Sequence, residues 1–384
     1  MDLTHTAEVT AFRGEARDWL RAHVPARPLP SLETAEGFAA HREWEGRLAA
    51  DRWSVVSWPE EYGGRGADIV KWLVFEEEYF AAGAPGRVSQ NGINLLAPTL
   101  FDHATAAQRA RVLPSMASGE VIWAQAWSEP ESGSDLASLT SRAERTEGGW
   151  LLSGQKTWSS RAAFADRAFG IFRTEQHTPK PHQGLTYLMF DLRAPGVSVR
   201  PIGRLDGKPA FAELFLDGVF VPDEDVIGEP GQGWRIAMST TGNERGLTLR
   251  SPGRFLAAAD RLTALWRERV DADGGTDSAL RDRVADAVIG ARAYELFTWA
   301  NASRFAAGET IGAESSLNKV FWSEYDIALH ESALDLLGPD AELADGPWAE
   351  PWLFSLAGPI YAGTNEIQRD IIAERLLGLP KGRR

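Results

Sequence analysis

The chain has 384 residues, carries 40 Lys and Arg against 54 Asp and Glu for a net charge of −14, and contains no Cys. This length predicts two or three packed units, and the 43% hydrophobic content excludes a globally disordered chain. The lack of Cys excludes disulfides, thiolate metal sites and thiol catalysis. The acidic balance argues against a nucleic-acid partner, although a few local arginines could still hold an anionic ligand.

The sequence contains no apolar run of 18 or more residues, so we expect no membrane-spanning segment and no membrane partner. The first residues show neither the basic nor the apolar part of a secretory signal peptide. We therefore expect a cytoplasmic protein. The seven His residues show no paired ligand spacing, so we predict no metal site.

Residues 1–120 carry helical patterns. One apolar stripe at helical spacing comprises Leu3, Val9, Phe12, Ala16, Trp19 and Leu20. Prolines at 25, 28 and 30 end this helix, and further helical patterns cover 68–81 and 92–101. The spacing predicts an N-terminal α domain.

Residues 121–230 change to a β pattern. The segment 142–153 has the composition of a hairpin, and the segments 167–173, 185–192, 197–202 and 211–221 are rich in β-branched and aromatic residues. Strands that follow one another without helices between them predict an antiparallel barrel or sandwich.

Residues 231–384 return to long helical patterns near 234–266, 280–294, 317–336 and 350–377, which predict a four-helix bundle. The chain is therefore an α+β protein with domains at 1–120, 121–230 and 231–384. It lacks the βαβ alternation and the glycine fingerprint of a Rossmann sheet.

Three strings concentrate small polar residues. The first is A-W-S-E-P-E-S-G-S-D at 126–135, the second is G-Q-K-T-W-S-S at 154–160, and the third is I-Y-A-G-T-N-E-I-Q-R at 360–369. Taken singly, each has an ordinary explanation: a turn, a strand Trp packed in a core, and a helix N-cap at 363–366. Equally, hydroxyls next to a Trp suit an aromatic ligand.

In this order on this α–β–α frame, the three strings resemble the signatures of the acyl-CoA dehydrogenase family over essentially the whole chain. The resemblance implies bound FAD, an acyl-CoA substrate, an electron-transfer flavoprotein or similar acceptor, and a homodimer or homotetramer. By position, it implies that Ser128 hydrogen-bonds the flavin ring, that Trp158 packs beside the ring, and that Ser160 reaches its N5 edge.

The same resemblance implies further contacts. Thr364 and Glu366 correspond to family positions that contact FAD. Ser134 corresponds to a position that touches the pantetheine of acyl-CoA, and Arg245 to a family Arg next to the base. The implied reaction forms a 2,3-enoyl-CoA, with a base removing the α-proton and flavin N5 accepting the hydride.

The catalytic base departs from the commonest pattern of the family. Most relatives carry it as a Glu between the Tyr and the Gly of the third string, where this chain has Ala362. A minority place a Glu before an Arg on an earlier helix, and the string G-N-E-R-G at 242–246 fits that pattern. We therefore predict that Glu244 is the base. A helical Glu paired with an Arg in solvent is the alternative explanation.

A second departure is the missing Arg-x-x-Phe-Gly string, with which many relatives grip FAD across a dimer. This absence and Ala362 keep another hypothesis open: a non-catalytic or FAD-sharing subunit of a mixed oligomer. A third alternative is a dehydrogenase of acyl groups that are bound to a carrier protein.

Overall fold

The computed structural model describes residues 5–245, 251–273, 277–309, 312–342 and 346–381. Within these ranges the helices, in chain order, are α1 (Ala7–His23), α2 (Ala35–Ala50), α3 (Ile69–Ala81), α4 (Ala97–His103), α5 (Ala106–Ala117), α6 (Gly233–Arg245), α7 (Pro252–Asp273), α8 (Ser278–Ala306), α9 (Glu314–Leu337), α10 (Ala349–Ser355) and α11 (Asn365–Ile371). The strands are β1 (Trp123–Ala126), β2 (Arg142–Thr146), β3 (Gly149–Ser160), β4 (Arg167–Arg173), β5 (Leu185–Asp191), β6 (Val197–Ile202), β7 (Phe211–Pro222) and β8 (Val226–Ile227).

The helix starts follow local chemistry. Thr6, Thr34 and Asp68 cap α1, α2 and α3, each accepting a hydrogen bond from a backbone N–H of the first turn. Thr105 forms a reciprocal capping box with Gln108 at the start of α5. These four helices thus begin where a short polar side chain satisfies an amide that the helix leaves unpaired.

The strands form one eight-stranded sheet in the order β6-β7-β3-β2-β4-β5-β8, with β1 paired to β4. The predicted hairpin is present, with β2 and β3 antiparallel and Thr146 opposite Gly149. Most pairs are antiparallel, as predicted, but β1 and β2 both pair with β4 in the parallel sense. This central position buries β4 on both faces: Phe169 and Phe172 each have no exposed surface and lie in different apolar clusters.

The chain divides into two compact units. One comprises 27–66 and 85–244 and contains the sheet with α2, α4, α5 and α6. The other comprises 1–26, 67–84 and 245–384 and contains α1, α3 and the helices from α7 onward. The proposed domain boundaries at 120/121 and 230/231 remain a prediction.

The helical unit is held together by ion pairs and aromatic packing. Arg13 and Arg17 of α1 contact Glu78 of α3 at 2.9 and 2.7 Å. Gly253 lets α7 approach α3 closely, since a Cβ there would lie 2.7 Å from the Glu76 carbonyl oxygen. Phe255 of α7 makes an edge contact with Tyr294 of α8, with ring centroids 5.4 Å apart.

The C-terminal helical prediction is confirmed, with two differences. The pattern near 234–266 belongs to two helices, α6 and α7, and the pattern near 350–377 contains α10, α11 and a π-helical turn at Ile372–Leu376. Gly358 and Gly363 lie between α10 and α11, and Gly363 has φ +77°, a conformation that interrupts a helix. None of the described helices combines the length and the apolar composition that a membrane span requires.

Candidate active site

The first string is anchored by a buried carboxylate. Glu129 follows β1, and its side chain accepts hydrogen bonds from the backbone N–H groups of Thr140 and Ser141 at 2.6 and 2.9 Å. It also forms an ion pair of 2.8 Å with Lys156 of β3. These bonds close the loop 129–141 onto the sheet, which fixes the backbone around Ser128.

Lys156 is completely buried and has several partners. Besides Glu129, its Nζ donates to the carbonyl oxygens of Ile171 at 2.8 Å and Trp127 at 3.3 Å. The ammonium group also lies 4.8 Å from the ring centre of Phe172. One side chain thus joins the end of β1, the middle of β3 and the end of β4.

The charges of Glu129 and Lys156 affect each other's pKa. Burial by itself would raise the pKa of the Glu129 carboxyl, but the charge and hydrogen bond of Lys156, with bonds from Thr140 and Ser141, hold that pKa at about 2. Burial lowers the pKa of Lys156, against the opposing effect of Glu129. The favourable form of the pair is the ionised one, because each charge compensates the other where water is excluded.

The second string contains a bulge beside this pair. The register of β3 against β7 shifts between Lys156 and Ser159, and Trp158 within the shift has φ +59°. This left-handed conformation is strained for a residue with a side chain. Trp158 is 60% exposed, and its ring meets that of Phe211 edge-on at a centroid distance of 5.9 Å. The alternative of a core-packed strand Trp is therefore wrong.

The hydroxyls of the two strings lie next to the bulge. The Thr157 N–H donates to the Ser128 carbonyl oxygen at 2.9 Å, so the first and second strings are in direct contact. Ser128 and Ser160 are half-buried. Ser159 is completely buried, and its Oγ has no hydrogen-bond partner among the described residues.

Ser134 lies further along the first string and is exposed. Two sets of hydrogen bonds hold the loop that contains it. The hydroxyls of Ser132 and Ser138 bond to each other at 2.8 Å. Arg173 donates to the carbonyl oxygens of Ala137 and Leu139 at 2.9 and 3.2 Å. The structure thus places Ser128, Ser134, Trp158 and Ser160 in the sheet-containing unit.

The third string lies in the helical unit. Thr364 is the N-cap of α11 and accepts from the Ile367 N–H at 3.3 Å, as the ordinary explanation of this string predicts. Its neighbour Asn365 is buried, and the Asn365 Oδ1 accepts from Lys319 Nζ at 2.8 Å and from Ser323 Oγ at 3.1 Å. Glu366 is exposed, and its pKa is lowered by a hydrogen bond to its own backbone N–H and by Thr364.

Glu244 and Arg245 end helix α6, and their side chains lie outside the described residues. The helix itself is well anchored in the sheet-containing unit. Ile236 and Thr240 have no exposed surface, and the Thr240 hydroxyl lies 2.7 Å from that of Thr99. Glu244 comes four residues after Thr240, so its Cα lies one turn further along the same face.

Glu129 and Lys156 lie in the first and second strings, but the sequence alone did not indicate a role for either. The available signal was a Lys at an alternating position of a β-rich segment, where a cation requires a partner if it faces inward. Nothing in the linear sequence identified that partner, since Glu129 lies 27 residues away.

Family models match most of the chain. The N-terminal, middle and C-terminal domains of acyl-CoA dehydrogenases match residues 6–120, 124–219 and 231–377. The acyl-CoA dehydrogenase IpdE1 of Mycobacterium tuberculosis (strain ATCC 25618 / H37Rv) is 37% identical over 97% of this chain and 98% of the relative.

Two solved structures cover the whole chain and have the same fold. A structure described as the Tcur3481-Tcur3483 steroid ACAD is 27% identical with a TM-score of 0.83, and covers 100% of both chains. The ChsE4-ChsE5 complex from Mycobacterium tuberculosis is 29% identical with a TM-score of 0.83, also over 100% of both chains. A structure described as PigA with FAD and proline, 20% identical with a TM-score of 0.81, has the same fold. The chain belongs to the acyl-CoA dehydrogenase family and is a flavin-dependent oxidoreductase of that class.

Proposed function

We propose that this chain binds FAD and dehydrogenates an acyl-CoA thioester to the 2,3-enoyl-CoA, with Glu244 as the base that removes the α-proton. The observation that carries the proposal is Trp158, an indole held out of the sheet by a strained bulge. Strain of this kind persists only where the surroundings impose it, and it concentrates at functional sites.

The residues around the bulge fit a flavin. A flat, partly polar ring system needs an aromatic surface and hydrogen-bonding groups at its edge. Trp158 offers the surface, and Ser128 and Ser160 offer hydroxyls. Ser159 Oγ and Gln368 Oε1, in the second and third strings, are buried polar atoms without a hydrogen-bond partner among the described residues, so both strings retain unused hydrogen-bonding capacity. We assign FAD contacts to Ser128, Trp158, Ser160, Thr364 and Glu366.

The base is assigned by exclusion and by pattern. Ala362 occupies the usual position of the Glu in relatives, and a methyl group cannot accept a proton. Glu244 is a carboxylate on a helix whose preceding turns are buried in the sheet-containing unit. Arg245 is assigned to the substrate beside it, and exposed Ser134 to the pantetheine arm.

Proton removal from the α-carbon of a thioester needs help, because that proton is only weakly acidic. A carboxylate in a closed site gains basicity, since burial disfavours its charged form. Hydrogen bonds to the thioester oxygen stabilise the negative charge that develops there. When bound, FAD supplies the acceptor for the β-hydride.

For the acyl group, we propose a bulky, polycyclic one. One support is the relative that is described as a steroid ACAD. The other is the placement of the base on α6, from which it would approach the substrate from a different side of the pocket than a Glu at position 362 would. The test is a panel of straight-chain, branched and steroid side-chain CoA thioesters with an artificial electron acceptor. A kcat/KM at least tenfold higher for the steroid thioester supports this choice, and a straight-chain preference contradicts it.

The base is tested with Glu244→Gln, which keeps the shape and removes the basicity. We expect normal FAD content and a loss of about 10²–10⁴-fold in the rate at which substrate bleaches the flavin anaerobically. Glu229→Gln is the matched control, because Glu229 is an exposed Glu of the same unit. Bleaching at the wild-type rate in Glu244→Gln would remove Glu244 from the mechanism.

Association with another chain is part of the proposal. Helix α8 exposes apolar side chains: Ile289 is 64% exposed, Phe305 55% and Leu296 43%. Such exposure favours burial against another chain. We propose a homodimer or homotetramer, with an electron-transfer flavoprotein or similar acceptor as the redox partner.

A second candidate function is a subunit of a mixed oligomer, either non-catalytic or sharing FAD with its partner. The ChsE4-ChsE5 relative, described as a complex of two proteins, favours it. Flavin absorbance and molar mass of the chain purified alone separate the two: a flavin-loaded dimer or tetramer supports the homo-oligomer. A colourless monomer supports the mixed one. Activity on carrier-protein thioesters but not on CoA thioesters would indicate the remaining alternative.

A further inference from the structure

The Glu129–Lys156 ion pair joins the first string to the second, the two strings to which we assign the flavin ring. Lys156 is fully buried, and the side chain of Glu129 is only 5% exposed. Thr157 follows Lys156 in the chain, and its N–H donates to the Ser128 carbonyl oxygen. Trp158 comes next. From Glu129 the preceding residue is Ser128. Glu129 thus directly follows one proposed flavin contact, Ser128, and Lys156 lies two residues before another, Trp158.

We propose that Lys156 and Glu129 are positioning residues: they fix Ser128 and Trp158 relative to each other, and so set the affinity and the reduction potential of the bound flavin. The inference rests on the proposed function, and it assigns to these two residues no contact with the cofactor itself.

The geometry indicates that the Lys156–Glu129 pair positions the bulge at Trp158 and does more than stabilise the core. The bulge at Trp158 costs backbone strain, and strained backbone relaxes unless the groups around it have fixed partners. Lys156 provides such partners at the last paired residue before the bulge, through bonds to Glu129, Ile171 and Trp127. A buried apolar residue of similar size would fill the space, but it could not donate to three oxygens in defined directions.

A purely structural role predicts something else. Buried ion pairs are poor stabilisers, and replacing both members by neutral groups of similar volume is often neutral or favourable for stability. If the pair only fills the core, a neutral replacement that restores stability also restores FAD binding. If the pair positions the bulge, stability and FAD binding separate.

The experiment compares wild type with Lys156→Met, the double variant Lys156→Met/Glu129→Gln, and Asp225→Asn. Asp225 is the matched control, because it is also a buried carboxylate of the sheet-containing unit and forms ion pairs with Arg111 and Arg167 at 2.6 and 2.7 Å. Arg167 is the first residue of β4, whereas Ile171, which accepts a bond from Lys156, lies towards the other end of that strand. Each protein is stripped of FAD. Its thermal midpoint, FAD dissociation constant and flavin midpoint potential are then measured.

We expect the double variant to regain most of the thermal midpoint that Lys156→Met loses, yet to bind FAD at least tenfold more weakly than wild type. We also expect at least a tenfold change in the ratio of its affinities for oxidised and reduced FAD, which is about 30 mV for a two-electron couple. Asp225→Asn should lower the thermal midpoint while leaving the FAD affinity and potential within twofold of wild type.

Wild-type FAD affinity and potential in the double variant would overturn the inference, as would equal FAD losses in the double variant and Asp225→Asn. If Lys156→Met does not fold, the FAD affinity and potential of the double variant still test the inference, because that variant leaves no buried charge without a partner. Failure of the wild type itself to bind FAD, or to be bleached by any acyl-CoA, rejects the proposed function instead.

Discussion

Lys156 of the sheet-containing unit and Lys319 of the helical unit are both almost completely buried, but they meet different acceptors. Lys156 bonds to the carboxylate of Glu129, and Lys319 bonds to the amide oxygen of Asn365, each at 2.8 Å. Both lysines support a string that we assign to FAD. The comparison shows two ways to anchor a motif loop: one couples two full charges, and the other uses a charged donor on a neutral acceptor that it shares with Ser323.

The difference has energetic consequences. Removing one member of a buried ion pair leaves a charge that water cannot reach, whereas removing the donor from a neutral amide leaves only an incompletely bonded polar atom. The sheet-containing unit should therefore be more sensitive to the loss of its lysine than the helical unit.

The largest effect is expected for Lys156→Met. Glu129 would remain buried without its counter-charge, so we expect the free energy of unfolding to fall by about 3–5 kcal/mol. Urea denaturation monitored by circular dichroism measures it. Lys180→Met, at an exposed loop position, is the control and should change stability by less than about 0.5 kcal/mol. A loss below about 1 kcal/mol in Lys156→Met would contradict this account of the pair.

The next effect is a dependence on pH. Folding lowers the pKa of Glu129 from 4.5 to about 2, so its contribution is present above pH 4.5 and is lost as the pH falls towards 2. The shift corresponds to about 3 kcal/mol. We expect the stability advantage of wild type over Glu129→Gln to shrink by this order between pH 6 and pH 2. An advantage that stays constant over this range would show that Glu129 does not titrate as the structure indicates.

The smallest effect is expected for Lys319→Met. Asn365 Oδ1 keeps the bond from Ser323, so we expect a loss of about 1.5–3 kcal/mol, the range for hydrogen bonds that involve a charged group. Parallel urea titrations of Lys319→Met and Lys156→Met check the order, and a larger loss in Lys319→Met would reverse the comparison.

Local patterns sufficed for much of the fold. The helix over 69–81 and the hairpin around 147–148 were predicted because helical spacing and turn residues act over a few positions. Thr364 was predicted within an N-cap segment for the same reason. The pattern near 234–266 did not reveal two helices, because apolar spacing continued through both of them.

The candidate site was predicted only in part. Its strings were recognisable by their order along the chain, yet the exposure of Trp158 was not, since a Trp in a β-rich segment usually packs in a core. The side chains of Glu244 and Arg245 lie outside the described residues, and their roles stay predictions.

By itself, the sequence determined the order of α, β and α regions and the family, because both depend on residue types at short spacings. Only the tertiary structure showed that Lys156 meets Glu129, Trp127 and Ile171, and that a bulge turns Trp158 out of the sheet. The physical reason is that a buried charge takes its partner from whichever segment folding brings within hydrogen-bond distance, and strand pairing over tens of residues decides which segment that is.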